Sequence, residues 1–240
     1  MINVDKIVSD TLVAFQNNKD KLADLPSISE DDYYSIHQCP LTPTSIKIDS
    51  KLFTKEIQSF DSYFYQWGNQ HTHLPRYGLA LVNEDGILKS NDPINGSLYE
   101  WNVKNPQRPL LETDCVVSTN VMDMESLKPL SVFNGYWCRS NILKWQAGAD
   151  FKPHIDTVLP SPWIRLWATT DPSTVELNFY NKIGSRINIE PIEAGRVYII
   201  DTSLVHDASA SGLNFQLFLS VLPSAIDLLK HFTRTNSLTV

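Results

Sequence analysis

The second half of the chain alternates between apolar and polar residues with a period of two. From about residue 136 onward, short alternating stretches are separated by turn-forming segments rich in Gly, Pro, Asp and Ser. A period of two is typical of strands with one buried face, and many short strands at this spacing indicate a sandwich, a barrel or a jelly roll. The predicted strands are 139–146, 162–169, 175–180, 186–190, 196–201 and 213–221.

Helical spacing appears at two places outside this region. Five apolar residues recur at spacings of four, three, four and three, which predicts an amphipathic helix that packs on the sheet. Asp49 or Ser50 is positioned to cap it. A final helix is predicted to begin at Ser224, because Ser224 and Asp227 have the spacing of a capping box. The residues of the first stripe are Phe53, Ile57, Phe60, Phe64 and Trp67.

Two segments between these regions have contrasting patterns. Residues 73–86 read as a strand that ends in an acidic turn. Residues 91–109 are rich in Pro, Gly and Asn, which predicts an irregular loop. With Tyr99 and Trp101 available to cover a substrate, this loop is a candidate lid.

Length and charge limit the classes of function. At 240 residues with 42% hydrophobic residues, the chain suits a single globular domain. Its formal charge is −7 and no run of Lys or Arg follows a phosphate backbone, so we expect no nucleic-acid partner. The first residues have neither a signal-peptide pattern nor a membrane-spanning apolar run, so we expect a cytoplasmic protein without a membrane partner.

Cysteine usage agrees with a reducing compartment. Cys39, Cys115 and Cys138 are odd in number, far apart and without a CxxC motif. We therefore expect reduced, buried thiols instead of disulfides or a zinc site.

The segment KPHID, residues 152–156, carries the candidate chemistry. Strand side chains repeat every two residues, so His154 and Asp156 project to one side and can bind one ion. His206 lies 50 residues after Asp156 at a predicted strand end and is the candidate third ligand. Two imidazoles and one carboxylate form the ligand set of non-haem Fe(II) oxygenases, which keep the remaining coordination positions open.

The same residues have a plainer interpretation, because an HxD pair arises readily by chance. His154 would then be a turn residue after Pro153, and His206 a hydrogen-bonded loop residue. His71 and His73 also have metal-like spacing but no supporting carboxylate, so we interpret them as a solvated loop, and His37 and His231 as surface residues.

Two stretches of the sequence resemble a known family. "CRSNILKWQAGADFKPHID" and "IEAGRVYIIDTSLVHDASASGLNFQLFLSV" resemble the aspartyl/asparaginyl β-hydroxylase-like and proline hydroxylase-like branch of the Fe(II)/2-oxoglutarate-dependent oxygenases, over about residues 70–222. The order of the motif residues carries the resemblance. These are Arg139, Gly148, Pro153, His154, Asp156, Gly195, Tyr198, Asp201 and His206.

The resemblance implies both a fold and a domain layout. It implies a mostly β protein with a double-stranded β-helix (jelly roll, cupin-like) core, flanking N-terminal helices and a C-terminal helix. Within one oxygenase domain of residues 1–240, residues 1–135 would supply helices, loops and edge strands. Residues 136–222 would form the core with the metal site, and residues 223–240 the C-terminal helix and tail.

The resemblance also implies the cofactors Fe(II), 2-oxoglutarate and O₂, with the iron held by His154, Asp156 and His206. The family usually anchors 2-oxoglutarate with an Arg ten residues after the distal His, but here that position is Gln216. Alternation places Gln216 towards the lumen. Arg165, between two tryptophans, lies in a strand where similar hydroxylases carry a cosubstrate-binding Arg; a stacked surface residue is the alternative.

The remaining expectations concern the substrate. Arg139 and Asn141 share a strand face with Leu143 and Trp145 and are candidate substrate-binding residues, although a structural role is an alternative. We expect Asp201 to hold the turn before His206.

The predicted activity is hydroxylation of an amino-acid side chain, in a protein or peptide (Asp, Asn or Pro) or in a free amino acid. Because Gln216 replaces the usual Arg, a cupin-type metalloenzyme or a metal-binding module that does not use 2-oxoglutarate is the alternative.

Overall fold

Two antiparallel β-sheets form the centre of the protein. The computed structural model describes residues 2–16, 25–66 and 75–234. The α-helices are α1 (Val4–Gln16), α2 (Glu30–Ile36), α3 (Ser50–Glu56), α4 (Leu98–Lys104) and α5 (Ile226–Arg234). The strands are β1 (Leu41–Lys47), β2 (Tyr65–Gln66), β3 (Arg76–Asn83), β4 (Val117–Ser118), β5 (Trp137–Trp145), β6 (Asp150–His154), β7 (Ile164–Thr169), β8 (Val175–Tyr180), β9 (Arg186–Ile187), β10 (Arg196–Ile200), β11 (Val205–Ala210) and β12 (Asn214–Val221).

The two sheets have the topology of a double-stranded β-helix, which confirms the predicted fold class. The larger sheet has eight strands in the order β1-β10-β7-β12-β5-β3-β2, with β4 beside β3. The smaller sheet has the order β6-β11-β8-β9. Strands that are distant in sequence become neighbours in both sheets, and this arrangement brings β6 against β11.

Alternation along the strands divides the larger sheet into an outer and an inner face. On β7, Leu166 and Ala168 lie in the main hydrophobic core, whereas Arg165 and Trp167 line a cavity between the sheets. The outer face is covered by helical segments that contribute buried apolar side chains to the same core. These side chains include Phe53, Ile57, Leu130, Phe133 and Leu229.

The helix predicted from the apolar stripe is shorter than expected. Asp49 caps α3 by accepting hydrogen bonds from the backbone amides of Lys51 and Leu52. After Glu56 the chain tightens into a 3₁₀ helix, Ile57–Tyr63, and Phe64 is extended. Packing on the sheet is confirmed, since the Phe53 ring lies 6.1 Å from that of Phe215, while Trp67 lies outside the described residues.

The prediction that residues 91–109 are irregular is wrong in part. They contain a 3₁₀ turn, Pro93–Asn95, and the helix α4. The Ser97 hydroxyl caps α4 by accepting a hydrogen bond from the Glu100 amide, a signal within this Pro- and Gly-rich stretch that sequence reasoning missed. Trp101 packs inward into a small apolar cluster, and Tyr99 stays 63% exposed.

Three further expectations need correction or completion. No strand was predicted between residues 201 and 213, where the segment ASASG (208–212) indicates a turn, but β11 runs through its first residues to Ala210, because they pair with β8. Strand β1 was not predicted; it pairs with β10 at the sheet edge. The last helix follows a 3₁₀ turn and begins at Ile226 instead of Ser224.

Smaller points concern single residues. The three cysteines are free, but Cys39 is exposed while the other two are buried. His37 is buried, not at the surface, and stacks on Tyr33 with 3.8 Å between ring centroids. His71 and His73 lie outside the described residues. Among the described helices, none is both long and apolar enough to cross a bilayer.

Two glycines in left-handed conformation give a matched stability test. Gly195 (φ 73°) and Gly148 (φ 85°) both have positive φ, but a Cβ at Gly195 would lie 2.3 Å from the carbonyl oxygen of Ile48, whereas a Cβ at Gly148 would meet no atom within 4 Å. We expect Gly148→Ala to cost about 1–2 kcal/mol from backbone conformation alone, and Gly195→Ala clearly more. Urea unfolding of both variants measures this, and equal losses would contradict it.

Candidate metal centre and cavity

Two adjacent strands of the smaller sheet bring the predicted metal ligands together. His154 ends β6, and His206 is the second residue of β11. The two residues are direct cross-strand partners, with ring centroids 4.4 Å apart. Asp156 follows two residues after His154, and the three side chains offer ligand atoms that all lie within 4.8 Å of one another.

The hydrogen bonds of both imidazoles point their free nitrogens at Asp156. Nδ1 of His154 lies 2.6 Å from the carbonyl oxygen of Lys152, and Nδ1 of His206 lies 2.9 Å from that of Leu204. Each Nδ1 therefore carries the proton and each Nε2 keeps its lone pair. The Nε2 atoms lie 3.4 Å and 3.8 Å from the carboxylate oxygens of Asp156. This tautomer and orientation fit a divalent cation bound among the three residues.

The turn between β10 and β11 fixes the position of Asp156. The carbonyl oxygen of Thr202 accepts hydrogen bonds from the amides of Asp156 (3.0 Å) and Thr157 (3.1 Å). Asp201 holds this turn, because its Oδ1 accepts hydrogen bonds from the amide and hydroxyl of Ser203 and from the hydroxyl of Tyr33. The carboxylate ligand and the distal histidine are therefore tied to one turn.

Burial and nearby charge set protonation states that suit metal binding. Burial and the neighbouring His154 lower the pKa of His206 to about 4, so this imidazole is neutral at neutral pH. Burial disfavours the charged form of Asp156, but His154, His206 and Arg165 outweigh that effect and lower the pKa of the carboxyl. Neutral imidazole and ionised carboxylate are the forms that bind metals.

A cavity of about 360 Å³ opens beside the triad, between the two sheets. The sheets contribute a mostly apolar wall, and residues 96–99 also line the cavity. A cavity of this size suits small ligands. Its apolar and aromatic lining includes Leu143, Trp145, Phe151, Trp167, Leu177, Ile200 and Phe218.

A cluster of three charged side chains occupies one part of this cavity. Nη1 of Arg165 forms a 2.6 Å ion pair with Oε2 of Glu112 and also contacts the hydroxyl of Ser220. Nη2 of Arg139 donates to the carbonyl oxygen of Gly96 at 3.0 Å, and its Nη1 lies 3.9 Å from Oε1 of Glu112. The exposed side-chain fractions of Arg165, Arg139 and Glu112 are 7%, 11% and 19%.

The amide of Gln216 lies at a different level of the cavity. Its Oε1 accepts a hydrogen bond from the indole of Trp167 at 3.0 Å, and its Nε2 is buried without a hydrogen-bond partner among the described residues. Arg165 on β7 pairs with Ser220 on β12, and Ser220 is four residues from Gln216 along β12. Since a strand rises about 3.3 Å per residue, the backbone positions of Ser220 and Gln216 are about 13 Å apart.

The predicted residues therefore fall into separate groups. The structure brings together the triad His154, Asp156 and His206, and it places Arg139, Asn141, Arg165 and Gln216 on the cavity wall. It does not bring Arg165 and Gln216 to one point. Sequence reasoning missed Glu112, which sits in a 3₁₀ turn without a recognisable motif. It also missed Trp167 as the partner of Gln216, although the alternation of β7 and β12 puts both on inner faces.

Comparisons with known proteins give structural neighbours only. No family model matches the chain, and no curated protein matches it. A prolyl-4-hydroxylase of Pseudomonas putida is 10% identical, with 80% of this chain and 96% of that chain covered and a TM-score of 0.43. AviO1 of Streptomyces viridochromogenes Tue57 is 12% identical, with 82% and 98% covered and a TM-score of 0.43.

A third neighbour is a prolyl hydroxylase of Trichoplax adhaerens, in complex with a peptide fragment of the hypoxia inducible factor oxygen degradation domain. It is 11% identical, with 90% of this chain and 95% of that chain covered and a TM-score of 0.38. Because these TM-scores are below 0.5, the activity of this chain has to be inferred from its own site.

The triad predicts a direct effect on metal affinity. Asp156→Ala removes the only carboxylate of the triad, so we expect Fe(II) affinity to fall about 100-fold or more. The fold should be retained, because the backbone amide of residue 156 keeps its hydrogen bond to Thr202. Anaerobic calorimetric titration measures this. Asp207→Ala is the control, since Asp207 bonds to Asn178 and Tyr180 instead of joining the triad. Unchanged affinity in Asp156→Ala would reject the centre.

The Tyr33 contact predicts a positioning effect. Tyr33→Phe removes the 2.9 Å bond to Asp201 and leaves the turn held by fewer contacts. We expect a stability loss of about 1–2 kcal/mol and a metal affinity reduced about tenfold. Tyr34→Phe is the control, because Tyr34 is the next residue and 52% exposed. A purely structural role for Tyr33 would lower stability and leave the metal dissociation constant unchanged.

Proposed function

We propose that the protein is an Fe(II)- and 2-oxoglutarate-dependent dioxygenase that hydroxylates an amino-acid side chain. The observation that carries the proposal is the convergence of two imidazole Nε2 atoms and one carboxylate, with both Nδ1 protons held by backbone carbonyls. This ligand set lies beside a cavity large enough for small molecules. A triad of this kind without a cavity would suit a structural ion equally well.

The triad would hold the metal on one side and leave its other positions towards the cavity. His154, Asp156 and His206 supply two neutral donors and one negative charge, a set suited to Fe(II) with room for further ligands. Bound Fe(II) would supply the activation of O₂ by which one oxygen atom enters the substrate C–H bond and the other enters succinate, with CO₂ released from 2-oxoglutarate.

Arg165 is the proposed charge partner for the far carboxylate of 2-oxoglutarate. A buried carboxylate without a partner is heavily penalised, and Arg165 is a buried cation close enough to influence the pKa of Asp156. Its Nη1 is taken by Glu112 and Ser220, but its buried Nε has no hydrogen-bond partner among the described residues. Gln216 would supply 2-oxoglutarate with a second, neutral hydrogen-bond donor from its own level of the cavity, through its unpaired Nε2.

Arg139 and Asn141 are the proposed substrate-binding residues. Both lie on the cavity wall, and their side chains approach the same carbonyl oxygen of Gly96, at 3.0 Å and 3.5 Å. The segment from Gly96 to Tyr99 lines the cavity and is the proposed cover over a bound substrate. Apolar walls around these polar groups would exclude water and orient the C–H bond that reacts.

One observation favours a second candidate. The Gln216 side chain already bonds to Trp167, and a neutral amide stands where a guanidinium would hold a dicarboxylate. A cupin-type metalloenzyme, or a metal-binding module, would need the triad but no 2-oxoglutarate anchor. The two candidates differ in their need for this cosubstrate.

The deciding experiment is turnover of the cosubstrate. The Fe(II)-loaded protein should convert 2-oxoglutarate to succinate only when O₂ is present, and Asp156→Ala should not. Mass spectrometry of a candidate substrate pool then identifies a product heavier by one oxygen atom. If the protein binds iron but shows no affinity for millimolar 2-oxoglutarate, the oxygenase is rejected in favour of the cupin-type metalloenzyme.

The anchoring residues give an ordered prediction. Arg165→Ala should weaken 2-oxoglutarate binding by about 2–5 kcal/mol, because it removes a buried charge partner, and Gln216→Ala by only about 1–2 kcal/mol. Gln216→Arg should be tolerated or should tighten binding. Calorimetry on the Mn(II)-loaded protein without O₂ measures all three variants. A larger loss in Gln216→Ala than in Arg165→Ala would move the anchor to Gln216.

A further inference from the structure

Arg139 and Glu112 are close enough for their charges to attract but do not form a hydrogen bond. Their nearest charged atoms, Nη1 and Oε1, are 3.9 Å apart, beyond hydrogen-bond distance. The other oxygen of the same carboxylate is only 2.6 Å from Nη1 of Arg165. Glu112 is therefore fixed by Arg165 and presents its second oxygen beside Arg139.

Arg139 is the less well paired of the two arginines in the cluster. Glu112 pairs with Arg165 at 2.6 Å, whereas the mostly buried guanidinium of Arg139 donates one hydrogen bond, to the neutral carbonyl of Gly96. Its Nε is buried and has no hydrogen-bond partner within the described part of the chain. A buried cation with unused donors attracts an anion, and a planar guanidinium binds carboxylate best.

The guanidinium of Arg139 is also held in place before any ligand arrives. The carbonyl oxygen of Gly96 accepts from Arg139 and lies 3.5 Å from the amide of Asn141. Gly96 itself packs tightly on β3, since a Cβ at Gly78 would lie 2.4 Å from its Cα. Arg139 therefore lines the cavity from a position that is held before a ligand binds.

We propose that Arg139 and Glu112 recognise the carboxylate and the ammonium of a free α-amino acid, so that the substrate is a free amino acid instead of a residue in a protein. An α-amino acid carries opposite charges on neighbouring groups, and this site presents opposite charges side by side without joining them. Arg139 binds the carboxylate, and Oε1 of Glu112 accepts from the ammonium. This inference rests on the proposed hydroxylase function.

A residue within a peptide does not satisfy the same site. Its neighbouring groups are neutral amides, so a peptide bound there leaves the guanidinium of Arg139 without a partner of opposite charge and Oε1 of Glu112 without an ammonium donor. An unpaired buried charge is costly, so the site disfavours blocked ligands relative to free amino acids.

The test uses the whole Mn(II)-loaded protein with 2-oxoglutarate, in the absence of O₂. Each of the common free amino acids is titrated by calorimetry, together with its N-acetyl and its C-terminal amide derivative. We expect at least one free amino acid to bind and both of its blocked derivatives to bind about tenfold more weakly or worse. Binding of both blocked derivatives as tightly as the free form overturns the proposal, as does the absence of binding by every free amino acid.

Variants then assign the effect to the two side chains. Arg139→Gln should weaken the binding of the free amino acid by about tenfold or more and should reduce the preference for the free form over its C-terminal amide. Glu112→Gln should reduce the preference for the free form over its N-acetyl derivative. Arg108→Gln is the control, because Arg108 pairs with Glu84 and its side chain is 74% exposed. Unchanged preferences in both cavity variants overturn the assignment; if a variant does not fold, the ligand series on the unaltered protein decides.

The two levels of the proposal fail in different ways. Conversion of 2-oxoglutarate to succinate without added substrate, combined with no binding of any free amino acid, rejects only the inference about Arg139 and Glu112. Absence of both 2-oxoglutarate binding and O₂-dependent turnover rejects the hydroxylase itself.

Discussion

The cross-strand pairing of His154 with His206 is the contact on which the rest of the site depends. It places two imidazoles side by side on neighbouring strands, and the backbone carbonyls of Lys152 and Leu204 fix which nitrogen of each ring is free. Those carbonyls lie two residues before each histidine, Lys152 within β6 and Leu204 just before β11, so the local backbone orients both rings. The face of the candidate metal centre is therefore a consequence of the β6–β11 pairing.

The carboxylate of the triad depends on a different element. Asp156 lies beyond the end of β6, where the strand ladder no longer fixes the backbone. The Thr202 carbonyl restores that control, and Tyr33 and Asp201 hold the turn that carries it. A residue from the N-terminal half of the chain thus contacts the turn that supports the candidate metal centre in the C-terminal half.

The cavity has two polar ends with different chemistry. At one end the carboxylate of Glu112 pairs with Arg165 and lies 3.9 Å from Arg139, and at the other the amide of Gln216 bonds to the indole of Trp167. Along β12 the two ends are four residues apart, at Ser220 and Gln216. The replacement of an expected arginine by Gln216 does not leave the cavity without cations, because Arg139 on β5 and Arg165 on β7 line it from the two strands that flank β12.

The sequence by itself determined most strands of the second half, although not β11, together with the inner faces of β7 and β12 and the spacing of His154 and Asp156. It could do so because a period of two is a local property of the backbone. The predicted helix after Asp49 was too long, because the chain changes from α to 3₁₀ geometry after Glu56. Helix α4 was missed, because the Ser97 cap is one helix signal within a stretch otherwise rich in turn-forming residues. Only the tertiary structure decided that Glu112 stands between two arginines and that Arg165 and Gln216 lie at separate levels. Those facts depend on which distant strands become neighbours and on where an irregular turn packs, and no local pattern encodes either.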